Sequence, residues 1–356
     1  MNLKYKIKHI IDSVCWTKLN SHPAFQYIHK RSEKPFENYI PKFENEILNA
    51  SFLDDNVKWF HNEFILELQQ PAIIEPDFGN VVIGLNKIVE QSIFYPQLTP
   101  SFLKYFINRF FTKTQKIDEA LLLDVCVGDN YFHFFSDVIN KLWIYEKYVQ
   151  DKDLAVIIGE KIFDMEYFQY IIKLDSLKNI RWIILGKNNY LKINHLYISR
   201  VMPYDLNHWA KTIALFNLKT NKHRRIFLTR SIESGRFLSN FEEIIPTLLK
   251  YNFEIIDTMG TSIEYQKDIF SESDFVIAVH GAGEANLMFS YKNNPKLIEI
   301  HPSNRIACHY YWLSIMFNTR YDCVVGGELK KDTKVNATSF ILNPLMLEKV
   351  IQKMNN

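Results

Sequence analysis

Three loops of this 356-residue chain concentrate residue types that handle anions and protons. Arg230 and Arg236 follow the apolar run 224–230 (RRIFLTR). His280, Gly281, Ala282 and Gly283 close the run 274–280 (DFVIAVH) and lead into a helical pattern carrying Asn286. Glu299 interrupts the apolar run 296–301 (KLIEIH), with His301 just behind it. Two glycines at a helix start let backbone N–H groups approach a phosphate, and the helix dipole favours its charge. Arginine adds a fixed fork of donors for phosphate oxygens. A carboxylate in an apolar strand needs a partner or a reason, and here it is placed to accept both hydroxyls of a ribose. Together these residues describe a nucleoside-diphosphate pocket that needs no metal. Each also has a plainer reading: the glycines as tight strand–helix packing, Arg230 as a surface charge.

A fourth segment, 130–137 (NYFHFFSD), pairs His133 with Asp137 four residues later. On a helix that spacing puts both on one face. Phe135, Val138, Ile139, Leu142 and Glu146 project to the other side. The spacing therefore predicts a polar pair pointing away from its own domain's core, into solvent or a cleft.

Other chemistry-bearing patterns carry less. Asp151-Lys152-Asp153 has the DxD form that holds a divalent metal in one class of sugar transferases. It precedes a strand pattern instead of following one, and reads as a solvated turn. His301, Cys308 and His309 lack metal-ligand spacing, so no metal is expected. GxGxxG would need glycine at 286, where the chain has Asn286, and HExxH, GxSxG and the P-loop are absent.

The elements that must position these residues are most regular in the second half. Strand patterns at 224–230, 253–258, 274–280, 296–301 and 320–325 alternate with helical patterns at about 240–252, 262–273, 286–291 and 306–318. Apolar, β-branched strands separated by helices predict a doubly wound parallel sheet, a Rossmann-like domain. In the first half, strands are expected at 119–127, 154–159 and 181–185, and helices at 101–111, 130–148 and 165–174. The fold class is therefore α/β, with two Rossmann-like domains facing a cleft. The expected division is 1–205 as an acceptor-side domain, 206–335 as the donor domain, and 336–356 as a C-terminal helix of unassigned docking. Open α/β sheets bind ligands at the carboxyl ends of their strands, where the loaded loops lie.

Composition sets outer bounds. With 42 Lys+Arg against 40 Asp+Glu the net charge is +2, and no basic stripe argues for nucleic acid. The 47% hydrophobic and 23% charged content is that of a globular chain. Cys15, Cys126, Cys308 and Cys323 form no CxxC pair, which points to a reducing compartment. No uncharged apolar run reaches the ~18–20 residues that span a bilayer. Residues 1–18 lack a signal peptide's apolar core and read as a basic amphipathic helix, docked on its own domain or resting on a membrane surface. Without secretion the sequons at Asn49 and Asn336 carry no meaning.

The segments NYFHFFSD, RRIFLTRSIESGR and above all DFVIAVHGAGEANLMF…KLIEIHP, in this order, resemble glycosyltransferase family 61. The resemblance spans about 130–325 and leaves the first 110 residues unplaced. It implies a two-domain GT-B fold and sugar transfer from a nucleotide donor, a UDP-sugar by preference, with inversion and without bound metal or cofactor. Arg230, Arg236 and the turn His280-Gly281-Ala282-Gly283 would hold the donor diphosphate. Glu299 would bind ribose or base, and Asn286 would orient the loop. Asp137 would be the general base on the acceptor hydroxyl, with His133 as its partner or substitute. One residue departs from the family pattern: Glu284 stands where the turn normally continues with an apolar residue. A carboxylate beside a diphosphate is unfavourable, so it should point outward or the donor should differ. With no anchor, the resemblance fits a bacterial cytoplasmic enzyme of capsule or lipopolysaccharide synthesis, peripheral at the inner membrane face and acting on a glycan or lipid-linked glycan. Rival readings are a pyruvyl- or phosphoryl-type polysaccharide-modifying transferase, or a non-catalytic nucleotide-sugar- or glycan-binding subunit.

Overall fold

A computed structural model describes residues 11–95, 97–124, 126–150, 154–218, 223–332 and 337–356. The 151–153 motif, most of the N-terminal amphipathic pattern and Asn336 therefore lie outside the described residues. The chain divides into two compact units, 1–33 with 61–203 and 34–60 with 204–356.

The second unit is built on a five-stranded sheet whose neighbours all run parallel. In space its order is Glu254–Ile256, Arg224–Leu228, Ser273–Val279, Lys296–Pro302, Arg320–Gly326. In chain sequence that is second, first, third, fourth, fifth. The order reverses between the first and third strands, and such a switch point leaves a crevice at the strands' carboxyl ends. Arg230 and the turn at 280–283 follow those two strands. The helices Phe241–Lys250 and Ile263–Ser271 are the crossovers. The C-terminal helix Pro344–Asn355 belongs here too: Leu347, Ile351 and Met354 pack in one core with Phe275, Ile298 and Val324. So does the helix Glu46–Lys58. Its Asn56 accepts from Trp312 Nε1 at 2.6 Å, and Phe52 packs on Tyr311 at 5.2 Å.

The first unit departs from a doubly wound sheet. It is a ten-stranded mixed sheet. Four strands, Tyr190–Arg200, Thr114–Asp124, Ala155–Gly159 and Trp182–Leu185, lie parallel in that order. On the other side of Tyr190–Arg200 the sheet continues with antiparallel pairs from residues 25–89. The cause is local: His61–Leu68, Ala72–Ile74, Val81–Ile83 and Lys87–Val89 are separated by a few residues each. Such links permit hairpins but not crossover helices. Among the described residues no helix is long and apolar enough to cross a membrane, and no disulfide joins the cysteines.

Candidate functional site

In the first unit, Asn130 caps the helical segment after the Thr114–Asp124 strand, its Oδ1 accepting from Phe132 N at 3.0 Å and His133 N at 3.3 Å. One α-turn leads into a π-helical stretch, Phe134–Ile139, before α-helix resumes at Asn140–Tyr148. The wider π turn re-aims side chains and recurs at functional sites. Here it carries Ser136 and Asp137, both buried.

His133 and Asp137 do share a face. His133 Nδ1 donates to Asp137 Oδ2 at 2.8 Å, and Ser136 Oγ donates to the same oxygen at 2.5 Å. The pair does not simply point outward, however. Asp137 is 8% exposed and lines a cavity of about 40 Å³ enclosed by residues of its own unit, Lys141, Ser199 and Arg200 among them. The reason is coverage: residues 91–94 and the end of the Tyr190–Arg200 strand lie over the face that sequence alone leaves bare. His133 keeps more exposure and packs its ring against Phe94 at 5.9 Å.

Burial by itself would raise the Asp137 pKa. The His133 and Ser136 hydrogen bonds and the nearby Lys141 charge outweigh it and hold the carboxyl below its ordinary value. Asp137 is therefore ionised at neutral pH. Oδ2 is fixed by two donors, while Oδ1 receives no hydrogen bond from the described residues. A carboxylate held by one oxygen with the other turned to a cavity suits a proton acceptor.

In the second unit Arg230 lies across the glycine turn. Its Nε donates to Gly235 O at 2.9 Å, Nη2 to Ser234 O at 2.9 Å and Nη1 to His280 O at 3.5 Å. A Cβ at Gly281 would sit 1.7 Å from Arg230 Nη1, so a side chain there would have to displace the guanidinium. Arg236 occupies the left-handed region at φ 58°, a conformation sparse for side-chain-bearing residues. Burial, then the charges of Arg230 and Arg305, push its pKa down to about 10. Arg305, in the loop after the Lys296–Pro302 strand, also acts on Arg230. Sequence reasoning missed Arg305, which sits in the polar stretch Ser303-Asn304-Arg305; its one signal was its place after a loaded strand. The charges of Arg236 and Arg305 both act on their neighbours in the loops at the carboxyl ends of these strands, and among the described residues no carboxylate lies within ion-pair distance of Arg230, Arg236 or Arg305.

The turn itself differs from the expectation of a helix dipole aimed at a phosphate. Ala282–Asn286 is a 3₁₀ turn followed by one α-turn, Leu287–Ser290, so little dipole accumulates. Glu284 does not point outward. It is fully buried, and its Oε2 accepts from Gly281 N at 2.9 Å. Burial and the charge of Glu299 raise its pKa well above the ordinary carboxyl value, a shift that favours the neutral acid. That shift lessens the repulsion that the sequence suggested, while the carboxyl takes one backbone N–H from the turn. His280 N is taken as well, donating to Ile300 O. The N–H groups of Ala282 and Gly283, first in the turn, have no intrahelical acceptor. Asn286 is buried and donates to Gln266 Oε1 at 2.8 Å, tying the turn to the Ile263–Ser271 helix.

Glu299 does not face a ribose. It is fully buried, with Oε1 on His280 Nδ1 at 2.5 Å and Oε2 receiving Tyr321 OH at 2.6 Å, with His301 Nε2 at 3.3 Å. Burial opposes its charge, but the two histidines outweigh that and hold its pKa far below the ordinary value. Side chains of neighbouring strands consume both oxygens, which makes Glu299 a fixed anchor for His280. The ligand atoms of His280, Glu299 and His301 lie within 4.8 Å of one another, a set that could hold a metal ion. The His280–Glu299 hydrogen bond already engages two of these ligand atoms. Cys308 and His309 turn elsewhere, to Asp55 at 3.2 Å and Tyr204 at 3.2 Å.

No curated protein sequence matches the chain. Residues 131–297 match the family described as Glycosyltransferase 61, a span that takes in His133, Asp137, Arg230, Arg236, the 280–283 turn and Asn286. By that match, the segment that carries both groups of residues is similar to glycosyltransferase family 61.

Proposed function

We propose that the protein moves a sugar from a nucleoside-diphosphate donor, a UDP-sugar first among them, to a hydroxyl of a glycan or lipid-linked glycan. The observation that carries this reading is the guanidinium of Arg230 laid against the 280–283 turn at the switch point of a parallel sheet, with the charges of Arg236 and Arg305 acting nearby. A diphosphate there meets fixed guanidinium forks, the donors that stabilise a departing diphosphate; losing one such donor typically slows a reaction about 10²–10³-fold. Glu299 and His280 hold the wall of that site, and the raised pKa of Glu284 lessens the opposing charge there.

The first unit supplies the proton acceptor. Asp137 removes the acceptor hydroxyl's proton as the oxygen attacks the anomeric carbon from the side opposite the diphosphate, giving inversion in a single displacement. His133 orients the carboxylate and holds its charge. This is a GT-B-type division of labour, with donor and acceptor functions on separate units and no metal in the reaction. A role in capsule or lipopolysaccharide assembly, in the cytoplasm and peripheral at the inner membrane face, follows from the same reading.

Thermal shift of the purified chain against UDP, GDP and CDP tests the donor half. At least one should stabilise the protein, by about 2.7 kcal/mol at a hundredfold excess over its dissociation constant. Arg230→Ala should remove that shift. Stabilisation by none of the three would overturn the reading in favour of a different donor chemistry. A donor-hydrolysis assay with EDTA tests the metal statement: turnover should be unchanged.

A further inference from the structure

The cavity beside Asp137 is unusual in its charges. Lys141, 8% exposed, lines it and spends its ammonium on Leu123 O at 2.6 Å. Arg200, at the end of the central Tyr190–Arg200 strand, lines it too, with Nη2 on Ile93 O at 2.9 Å. Burial lowers the Arg200 pKa, and the one carboxylate whose charge acts on it is Asp137, already bound to His133 and near Lys141. Among the described residues no carboxylate comes within ion-pair distance of Arg200. A largely buried guanidinium without its own counter-ion is costly, and its fork geometry suits a planar carboxylate or a phosphate. Ser199, 5% exposed, lines the same cavity, and its hydroxyl has no hydrogen-bond partner among the described residues. So two donors, a guanidinium edge and a hydroxyl, stand next to the group that takes the acceptor's proton.

Size narrows the occupant. About 40 Å³ holds a few waters or one small ionic group, since a single water needs roughly 10–15 Å³ by this measure. A sugar ring does not fit. We propose that this cavity receives an acidic substituent of the acceptor, a carboxylate or phosphate carried on the sugar whose hydroxyl Asp137 deprotonates. Arg200 grips the anion, Ser199 donates to it, and Lys141 keeps the Asp137 charge from repelling it. The acceptor would then be an acidic saccharide, a uronic acid or a sugar phosphate, and a neutral hexose would be a poor substitute. This inference rests on the assignment of Asp137 as the base.

The test is direct binding to the full chain by calorimetry, with no nucleotide donor present. Glucuronate, glucose 6-phosphate, glucose and inorganic phosphate are the probes. One of the two acidic sugars should bind about ten- to a hundredfold more tightly than glucose, the range expected for charge-assisted hydrogen bonds. Which of the two wins assigns the anion as carboxylate or phosphate. Arg200→Gln should remove the preference, and Ser199→Ala should weaken it less. If Arg200→Gln fails to fold, Arg200→Lys, which keeps the charge and loses the fork, should cut the preference several-fold. Equal binding of glucose and both acids overturns the proposal. So does inorganic phosphate binding as well as glucose 6-phosphate, since the cavity would then be a plain anion site. Because binding is read without donor, these results stand apart from donor hydrolysis: loss of hydrolysis with acid-selective binding intact would sink the transferase reading alone.

Discussion

Asp137 in the first unit and Glu284 in the second are both buried carboxyl groups in a helical segment that follows a strand, yet their pKa values move in opposite directions. Burial pushes both upward. The outcome turns on donors and neighbours. Asp137 receives two side-chain hydrogen bonds and lies near Lys141, and these overcome its burial. Glu284 receives one backbone N–H and sits near the ionised Glu299, which adds to the penalty instead of relieving it. The two sites need these opposite shifts. A proton acceptor must be charged before the reaction, whereas a carboxyl beside a diphosphate must not be.

The largest break in this comparison is Asp137→Asn. It keeps the shape but loses the proton acceptor, and transfer should fall about 10²–10⁴-fold with nucleotide-induced stabilisation unchanged. Near-normal turnover would remove Asp137 as the base. His133→Ala should act through Asp137. Without its principal partner the carboxyl pKa climbs, so the acid limb of the pH–rate profile should move upward from below the ordinary 3.8. A flat loss of rate with an unmoved acid limb would reduce His133 to packing.

Much of this could be read from the sequence, for physical reasons that differ by region. In the second unit each strand is an apolar, β-branched run between helices, and parallel strands buried on both faces have that local signature. Arg230 and the 280–283 turn were findable because they sit at the ends of such runs. In the first unit Ala72–Ile74, Val81–Ile83 and Lys87–Val89 span three residues each, too few for a period to register, and pairing with distant strands fixes them. The cavity beside Asp137 was hidden for the same reason: its far wall, Ser199 and Arg200, is about sixty positions away in the chain. Glu284 was noticed as a departure, but its raised pKa depends on Glu299 across a strand pair, and no local pattern encodes that.

A smaller break is Glu299→Gln. The amide offers one acceptor where the carboxylate serves His280, His301 and Tyr321, so a buried donor is stranded at a cost of about 1–3 kcal/mol in chemical denaturation. The pH dependence has a definite sign. The Glu299 pKa is depressed on folding, so its contribution is present above the ordinary 4.5 and fades as pH falls below that. The variant should close the gap to the native protein in acid. A gap that widened in acid would mean the carboxyl is not the ionised member of the network.

Glu284→Gln gives the smallest and sharpest result. If Glu284 is a neutral acid, the amide is its near-isostere: Glu284 Oε2 accepts from Gly281 N, and the amide oxygen of glutamine can take its place. Near pH 5 the substitution should change stability by less than about 1 kcal/mol, and transfer by less than tenfold. Above that pH the sign reverses in favour of the variant. A carboxyl whose pKa is raised on folding contributes stability that is full below the ordinary 4.5 and is lost as pH rises toward the folded value, because the unfolded chain alone ionises freely. Glutamine has no such loss, so from pH 6 to 9 the variant should become the more stable protein. The same variant also sharpens the donor question. An ionised Glu284 would repel a diphosphate, so its removal would tighten nucleotide binding several-fold at neutral pH, whereas a neutral one predicts no change. Tighter binding with no stability crossover would show Glu284 charged, and the contrast with Asp137 would then lie in geometry alone.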